Sequence, residues 1–236
     1  MKSPTVASSC CPTPEPVTSA PPAAAAVFGQ RLDLAAAYVD LLATVGVERG
    51  LLGPREAPRL WDRHVLNCAV VSDLLPEHTR VVDVGSGAGL PGLALAIRRP
   101  DLRVDLVESL QRRTSFLTEA VDALGLGDSV RVVRGRAEDA TVQALVGDAP
   151  WVTARAVAPL DRLVRWCLPL LADGGTLLAI KGAQAESEIS AHRSVIRRLG
   201  GDPPIVRDVG TALLPEPTMV VVVRKSAASA RREDAV

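Results

Sequence analysis

Aromatic residues are scarce in this chain. They make up 3% of 236 residues, and Phe28, Tyr38, Trp61, Phe116, Trp151 and Trp166 are the whole stock. Free single strands of nucleic acid are held largely by stacking on aromatic side chains, so a binder of that kind is disfavoured. An excess of either charge is also missing, because 27 basic residues balance 27 acidic ones. No global field draws in a polyanion, and any nucleic-acid contact must rest on a local patch or on shape. Cysteines are few. Cys10, Cys11, Cys68 and Cys167 have no metal-ligand spacing and read as reduced thiols of a cytoplasmic protein, with no metal expected. No apolar run reaches the length of a membrane span. The N-terminus has one Lys and then a Ser/Thr/Pro stretch without an apolar core, so no secretory signal is expected.

Apolar residues are plentiful, at 47%, and the length suits one α/β domain with a small appendage. Residues 1–25 are rich in Pro, Ala and Ser and cannot bury enough surface to offset ordering entropy, so a disordered tail is expected there. Residues 26–78 read as a helical extension. Leu34, Val39, Leu41, Leu42 and Val45 recur at helical spacing, and the run LWDRHVLNCAVVSDLL carries a broad apolar face up to Pro76. The extension is too small to fold alone and should pack on the α/β core. Residues 79–225 alternate strand and helix patterns, with strands expected near 80–84, 103–108, 129–134, 150–154 and 176–180. A helix is expected after the first, second, fourth and fifth of these. Two last strands, near 205–209 and 219–224, have no helix between them. That pattern predicts an α/β, Rossmann-like doubly wound sheet, mostly parallel with one antiparallel strand. Residues 226–236 read as a flexible end.

The stretch VVDVGSGAGLPG, residues 81–92, organises this domain. An apolar strand runs into Gly85, Gly87 and Gly89, and a helical pattern comes next. Gly85 and Gly87 let the backbone turn sharply and approach a ligand. Asp83 stands where a carboxylate can hold the loop or a ligand amine. A dinucleotide fingerprint would need its third glycine at position 90, which is Leu90. The G-x-G-x-G spacing behind an acidic residue resembles motif I of class I S-adenosylmethionine-dependent methyltransferases. Glu108 ends the second strand about twenty residues on, where an acidic side chain binds ribose hydroxyls. The third strand runs into Arg136, Ala137 and Glu138, where such folds hold adenine. The fourth ends in Arg155, in place of the Asn/Asp-Pro-Pro-Tyr/Phe motif of amine methyltransferases, which disfavours an exocyclic amine or carbon target. The fifth ends in Lys181. Arg155 and Lys181 thus flank the predicted cleft mouth, and Arg63 and His64 come from the extension.

WDRHVLNC, VVDVGSGAGLPGLALA, VRGRAED, ARAVAPL and LLAIKG succeed one another in the order of a known family. The chain from about Phe28 to Arg224 resembles the bacterial 16S ribosomal RNA guanine-N7 methyltransferase G family, also called glucose-inhibited division protein B. The resemblance implies a class I methyltransferase fold with an N-terminal helical extension. It implies methyl transfer from S-adenosylmethionine to N7 of guanine 527 in 16S rRNA. By the same resemblance Gly85 and Leu90 contact the cofactor, Ala137 and Glu138 meet its adenine side, and Arg155 sits at the methyl-transfer end. Arg136 and Lys181 match cations that hold RNA. Arg63, His64 and Asn67 match an R-H-x-x-[DN]-[SC] signature whose roles stay open. The catalytic candidates are therefore Arg155, Lys181, His64 and Arg136. The cofactor candidates are Gly85, Gly87, Gly89, Leu90, Glu108, Ala137, Glu138 and Arg155. The partner expected is 16S rRNA within a small-subunit particle, with no membrane and no DNA, and the enzyme is expected to be a monomer. A class I methyltransferase of a small molecule or protein, or a non-catalytic nucleotide-binding regulator, is the alternative.

Overall fold

The computed structural model describes residues 18–227. Seven strands form one sheet in the order β3-β2-β1-β4-β5-β7-β6. They are β1 (Arg80–Val84), β2 (Arg103–Glu108), β3 (Val130–Arg134), β4 (Ala149–Arg155), β5 (Leu171–Ile180), β6 (Ile205–Val209) and β7 (Thr218–Arg224). β1 to β5 pair in parallel, and β7 runs antiparallel to both β5 and β6. The order reverses beside β1, whose neighbours are β2 and β4, and ligands of open α/β sheets bind at such a reversal. This is the expected mostly parallel sheet with one reversed strand.

The helices are α1 (Pro22–Phe28), α2 (Leu32–Leu41), α3 (Leu66–Ala69), α4 (Gly92–Arg98), α5 (Gln111–Ala123), α6 (Ala140–Val146), α7 (Leu160–Cys167) and α8 (Ala185–Arg198). α3 is the middle of a longer helical run, wider-pitched over Leu60–Val65 and tighter over Val70–Leu74. The reading of disorder through residue 25 is corrected at Pro22. Proline suits a first helical turn, and four alanines come after it, so α1 forms and buries Ala24, Val27 and Phe28. The rest of that reading, residues 1–17, lies outside the described residues, as do Cys10, Cys11 and residues 228–236. No helix among the described residues is long and apolar enough to cross a membrane.

Burial joins the extension to the sheet. Phe28, Tyr38, Leu42, Trp61 and Val65 share one hydrophobic cluster with Leu93, Ile97 and Leu106. Phe28 meets Trp61 edge-on, with ring centroids 6.3 Å apart. The Arg98 guanidinium donates to the carbonyls of Val27 and Ala69, both at 3.1 Å. A long cationic side chain thus satisfies carbonyls at the ends of two extension segments.

Two elements differ from expectation. α6 connects β3 and β4 where the pattern showed no helix. It has seven residues and buries only Val142 and Val146, too short a stretch to display a period. β5 begins at Leu171 rather than near 176, so Gly174-Gly175 lies inside the strand rather than before it. Its register against β4 shifts between Ala149 and Trp151. A Cβ on Gly175 would stand 2.9 Å from the Ala149 carbonyl oxygen, so a close backbone approach requires glycine there.

Candidate active site

The loop between β1 and α4 is shaped from both sides. Gly85, Gly87 and Gly89 take φ values of +71°, +59° and +97°, open to glycine at little cost. Gly89 is also enclosed, since a Cβ there would stand 2.4 Å from Leu93 Cδ1 and 2.9 Å from Tyr38 Oη. A Cβ on Gly87 would meet only the Gly85 carbonyl oxygen, at an ordinary 3.8 Å, so its dihedral angle is what demands glycine. Tyr38 Oη donates to the Ala88 carbonyl at 2.8 Å, which ties the extension to the loop. Asp83 is buried and its Oδ2 accepts the Gly92 N–H at 3.0 Å, so it holds the start of α4. Its Oδ1 has no hydrogen-bond partner among the described residues. Burial pushes this carboxyl up to about 7, against the pull of Ser86 and the Gly92 N–H.

At the carboxyl ends of β1, β2 and β3 opens a cavity of about 440 Å³. Gly85, Glu108, Arg136, Ala137, Glu138 and Val157 are among its lining residues. Pockets of roughly 300–1,000 Å³ are the usual size for small ligands and cofactors. Glu108 clips two loops together. Its Oε2 accepts the Gly87 N–H at 3.0 Å and its Oε1 the Leu110 N–H at 2.9 Å. Arg113 approaches Oε2 at 3.4 Å. The Arg136 side chain is 71% exposed at the rim, 3.8 Å from Glu138 Oε1.

Five candidates thus line one cavity: Gly85, Glu108, Arg136, Ala137 and Glu138. Gly87 reaches it through Glu108. Gly89 and Leu90 pack behind the loop, against the core. Val157, Leu110, Arg113 and Trp166 also line it and carried no signal in the sequence, being ordinary residues placed by loop geometry. Ala156 adopts φ +52° between Arg155 and Val157, a conformation its identity does not advertise.

Arg155 and His64 form a second cluster, outside the cavity lining. Arg155 Nη2 lies 2.8 Å from His64 Nδ1, and Nη1 donates to the Arg63 carbonyl at 3.4 Å. His64 Nε2 lies 2.7 Å from Glu56 Oε2. Among the described residues no carboxylate pairs with Arg155. Burial lowers the His64 pKa, the Glu56 hydrogen bond opposes that, and the Arg155 charge adds to it. Asn67 Nδ2 donates to the Arg63 carbonyl at 3.4 Å.

Lys181 stands elsewhere, and it is not a free cation. Its ammonium is 2.8 Å from Glu188 Oε2 and donates to the Ala158 carbonyl at 3.0 Å, with 11% of the side chain exposed. The same Glu188 oxygen accepts the Leu160 N–H at 2.8 Å, at the start of α7. Lys181, expected as a grip on RNA, here pins the 156–160 loop. Glu188 lies in the first turn of α8, across a loop from Lys181, a pairing that no local spacing revealed.

The family profile described as GidB, rRNA small subunit methyltransferase G, matches residues 31–212. The chain belongs to this family. The ribosomal RNA small subunit methyltransferase G of Salinispora arenicola is 59% identical over 222 residues, covering 90% of this chain and 91% of that protein. That of Rhodococcus jostii is 56% identical over 199 residues, covering 84% and 87%. Membership in the methyltransferase G family makes the chain an S-adenosylmethionine-dependent rRNA methyltransferase. Among solved structures, the apo form of the methyltransferase SibL matches 80% of this chain and 62% of its own, with a TM-score of 0.57 and 18% identity. A predicted O-methyltransferase, protein Atu636 from Agrobacterium tumefaciens, matches 69% and 82%, with a TM-score of 0.54 and 19% identity. These two share the fold of this chain.

Proposed function

We propose that the protein methylates N7 of guanine 527 in 16S rRNA, acting on the small-subunit particle in the cytoplasm as a monomer, without membrane or DNA partners. The observation that carries the reading is the cavity at the β1 switch, closed by Glu108 across two loops, in a chain of the methyltransferase G family. S-adenosylmethionine, when bound, supplies an electrophilic methyl group on its sulfonium. The residues fit such a ligand. Glu108 accepts the Gly87 and Leu110 N–H groups at short range and Arg113 and Ser109 only at 3.4 and 3.5 Å, so ribose hydroxyls would take the place of those two longer contacts. Gly85 presents backbone with no Cβ, and Ala137 and Glu138 would hold the adenine side. Gly87, Gly89 and Leu90 shape the loop. Arg155, which pairs with no carboxylate among the described residues, offers its charge to an anionic oxygen of cofactor or substrate. Arg136 offers an exposed charge to an RNA phosphate, and Lys181 holds the 156–160 loop in place.

Guanine N7 has a free lone pair and loses no proton on methylation, so no general base is required. The protein's task is to bring N7 in line with the methyl group. The test is methyl transfer from labelled cofactor to small subunits, free rRNA and cell protein, with 7-methylguanine then mapped. Label on guanine 527 of small subunits is expected. Label confined to protein or small molecules would overturn the substrate. Normal cofactor affinity in Glu108→Ala would overturn the cavity's assignment.

A further inference from the structure

Arg155, His64 and Glu56 form a chain whose proton positions are fixed by chemistry. A guanidinium has only donors. At 2.8 Å, His64 Nδ1 must therefore accept from Arg155 Nη2, so it carries no hydrogen. The ring is then neutral and its proton sits on Nε2, which donates to Glu56 Oε2 at 2.7 Å. Glu56 in turn orients the ring and selects this tautomer. The three residues come from two parts of the chain. Glu56 and His64 belong to the helical extension, and Arg155 ends β4, 91 residues beyond His64.

We propose that Glu56 and His64 are positioning residues for Arg155, with Glu56 holding His64 in the Nε2–H form so that its Nδ1 aims the guanidinium. The inference rests on the role given to Arg155 under the proposed function. It assigns a purpose to the R-H pair at positions 63 and 64. The Arg63 carbonyl takes the other guanidinium nitrogen, at 3.4 Å, and His64 takes the first. Both acceptors are neutral, so Arg155 is oriented without losing its charge to a carboxylate. An anionic ligand oxygen then meets a cation already aimed and held in no salt bridge among the described residues.

The arrangement has a sign that pH can read. A second proton on His64 would occupy Nδ1 and set an N–H against the guanidinium N–H, cation against cation. The charged and titratable groups around His64 are Glu56 and Arg59 on the 54–59 turn, Arg63 beside it, and Arg155 from β4. Arg155 also couples electrostatically to Cys68, Tyr38 and Asp83. Protonation of His64 should release Arg155, so methyl transfer should fall on the acid side.

The experiment measures cofactor affinity by titration and initial methylation rate on small subunits from about pH 4.5 to about 8.5, a range extended below the usual imidazole window because the His64 pKa is lowered. The variants are H64L, H64N, E56Q and R155A, each with its thermal midpoint. H64L removes the acceptor and should lose about ten- to a hundredfold in rate or affinity, the worth of a charge-assisted hydrogen bond. H64N places a non-titrating oxygen near the Nδ1 position, so it should recover part of that loss and lack the acid limb. E56Q still accepts from Nε2–H but removes the carboxylate that favours imidazolium, so its acid limb should move to lower pH. An acid limb unmoved in both H64N and E56Q overturns the inference, even if H64L proves too unstable to assay. An impaired R155A beside a normal H64L overturns it too, and leaves the role of Arg155 standing. A normal R155A overturns the role of Arg155, and with it any need to position that residue.

Discussion

Asp83 shows how one side chain ties stability to pH. It is fully buried and its carboxyl is raised to about 7 by that burial. A folded-state pKa above the unfolded value of about 3.9 means that the folded protein holds the proton more tightly. The resulting stability is complete below about pH 4 and is lost as pH rises through about 7. Over that interval the slope is at most about 1.4 kcal/mol per pH unit. Asp83→Asn cannot titrate, yet keeps an oxygen for the Gly92 N–H. Urea unfolding of both proteins without cofactor should show the wild type losing stability relative to the variant from about pH 5 to about 7. Parallel curves would mean that Asp83 stays ionised in the fold. The sequence placed Asp83 correctly before the loop, but its bond to Gly92 and its unpaired Oδ1 depend on how α4 folds back. A single sequence does not carry that geometry.

At the scale of elements, the strand and helix order was legible because the apolar runs are long and Gly85, Gly87 and Gly89 sit at a real turn, whereas Gly174-Gly175 lies inside β5. What was missed is short or depends on partners. α1 hides in a Pro/Ala stretch whose composition looks unstructured, and only packing reveals Val27 and Phe28 as core residues. A chain starting at Gly29 should therefore be less stable than one starting at Thr18, by about 3–5 kcal/mol for the lost Val and Phe burial. Thermal or denaturant midpoints decide this, and equal midpoints would mean that α1 contributes nothing. The Lys181–Glu188 pair is the second such case. The Glu188 pKa is pushed up by burial, but Lys181 and the Leu160 N–H outweigh that and lower it. In a double-mutant cycle, Lys181→Met and Glu188→Gln should show a coupling of about 1–3 kcal/mol, as for a charge-assisted hydrogen bond. Additive losses would show that the pair does not hold the loop.

For the whole molecule, zero net charge is the governing constraint on RNA recognition. With 27 charges of each sign, affinity must come from a few placed cations. The structure separates cations that are spent from those that are not. Lys181 is neutralised by Glu188, and Arg98 and Arg99 are engaged with extension carbonyls and with Asp73 and Asp101. Arg136 stands 71% exposed at the cavity rim. Arg59 and Arg63 are exposed along a cleft of about 500 Å³ between the extension and residues 214–216. Each phosphate contact contributes about 0.7–0.9 to the slope of log affinity against log salt. Arg136→Ala and Arg59→Ala should each make that slope shallower by up to about one unit when binding to small subunits is titrated against salt. Cofactor affinity should hardly change in Arg59→Ala, because Arg59 lines the other cleft, and should change less than the salt slope in Arg136→Ala, because that side chain stands 71% exposed at the cavity rim. Lys181→Ala should leave the salt slope as it is and act through stability and cofactor affinity. A shallower slope in Lys181→Ala, with none in Arg136→Ala, would reverse the division between spent and available charge.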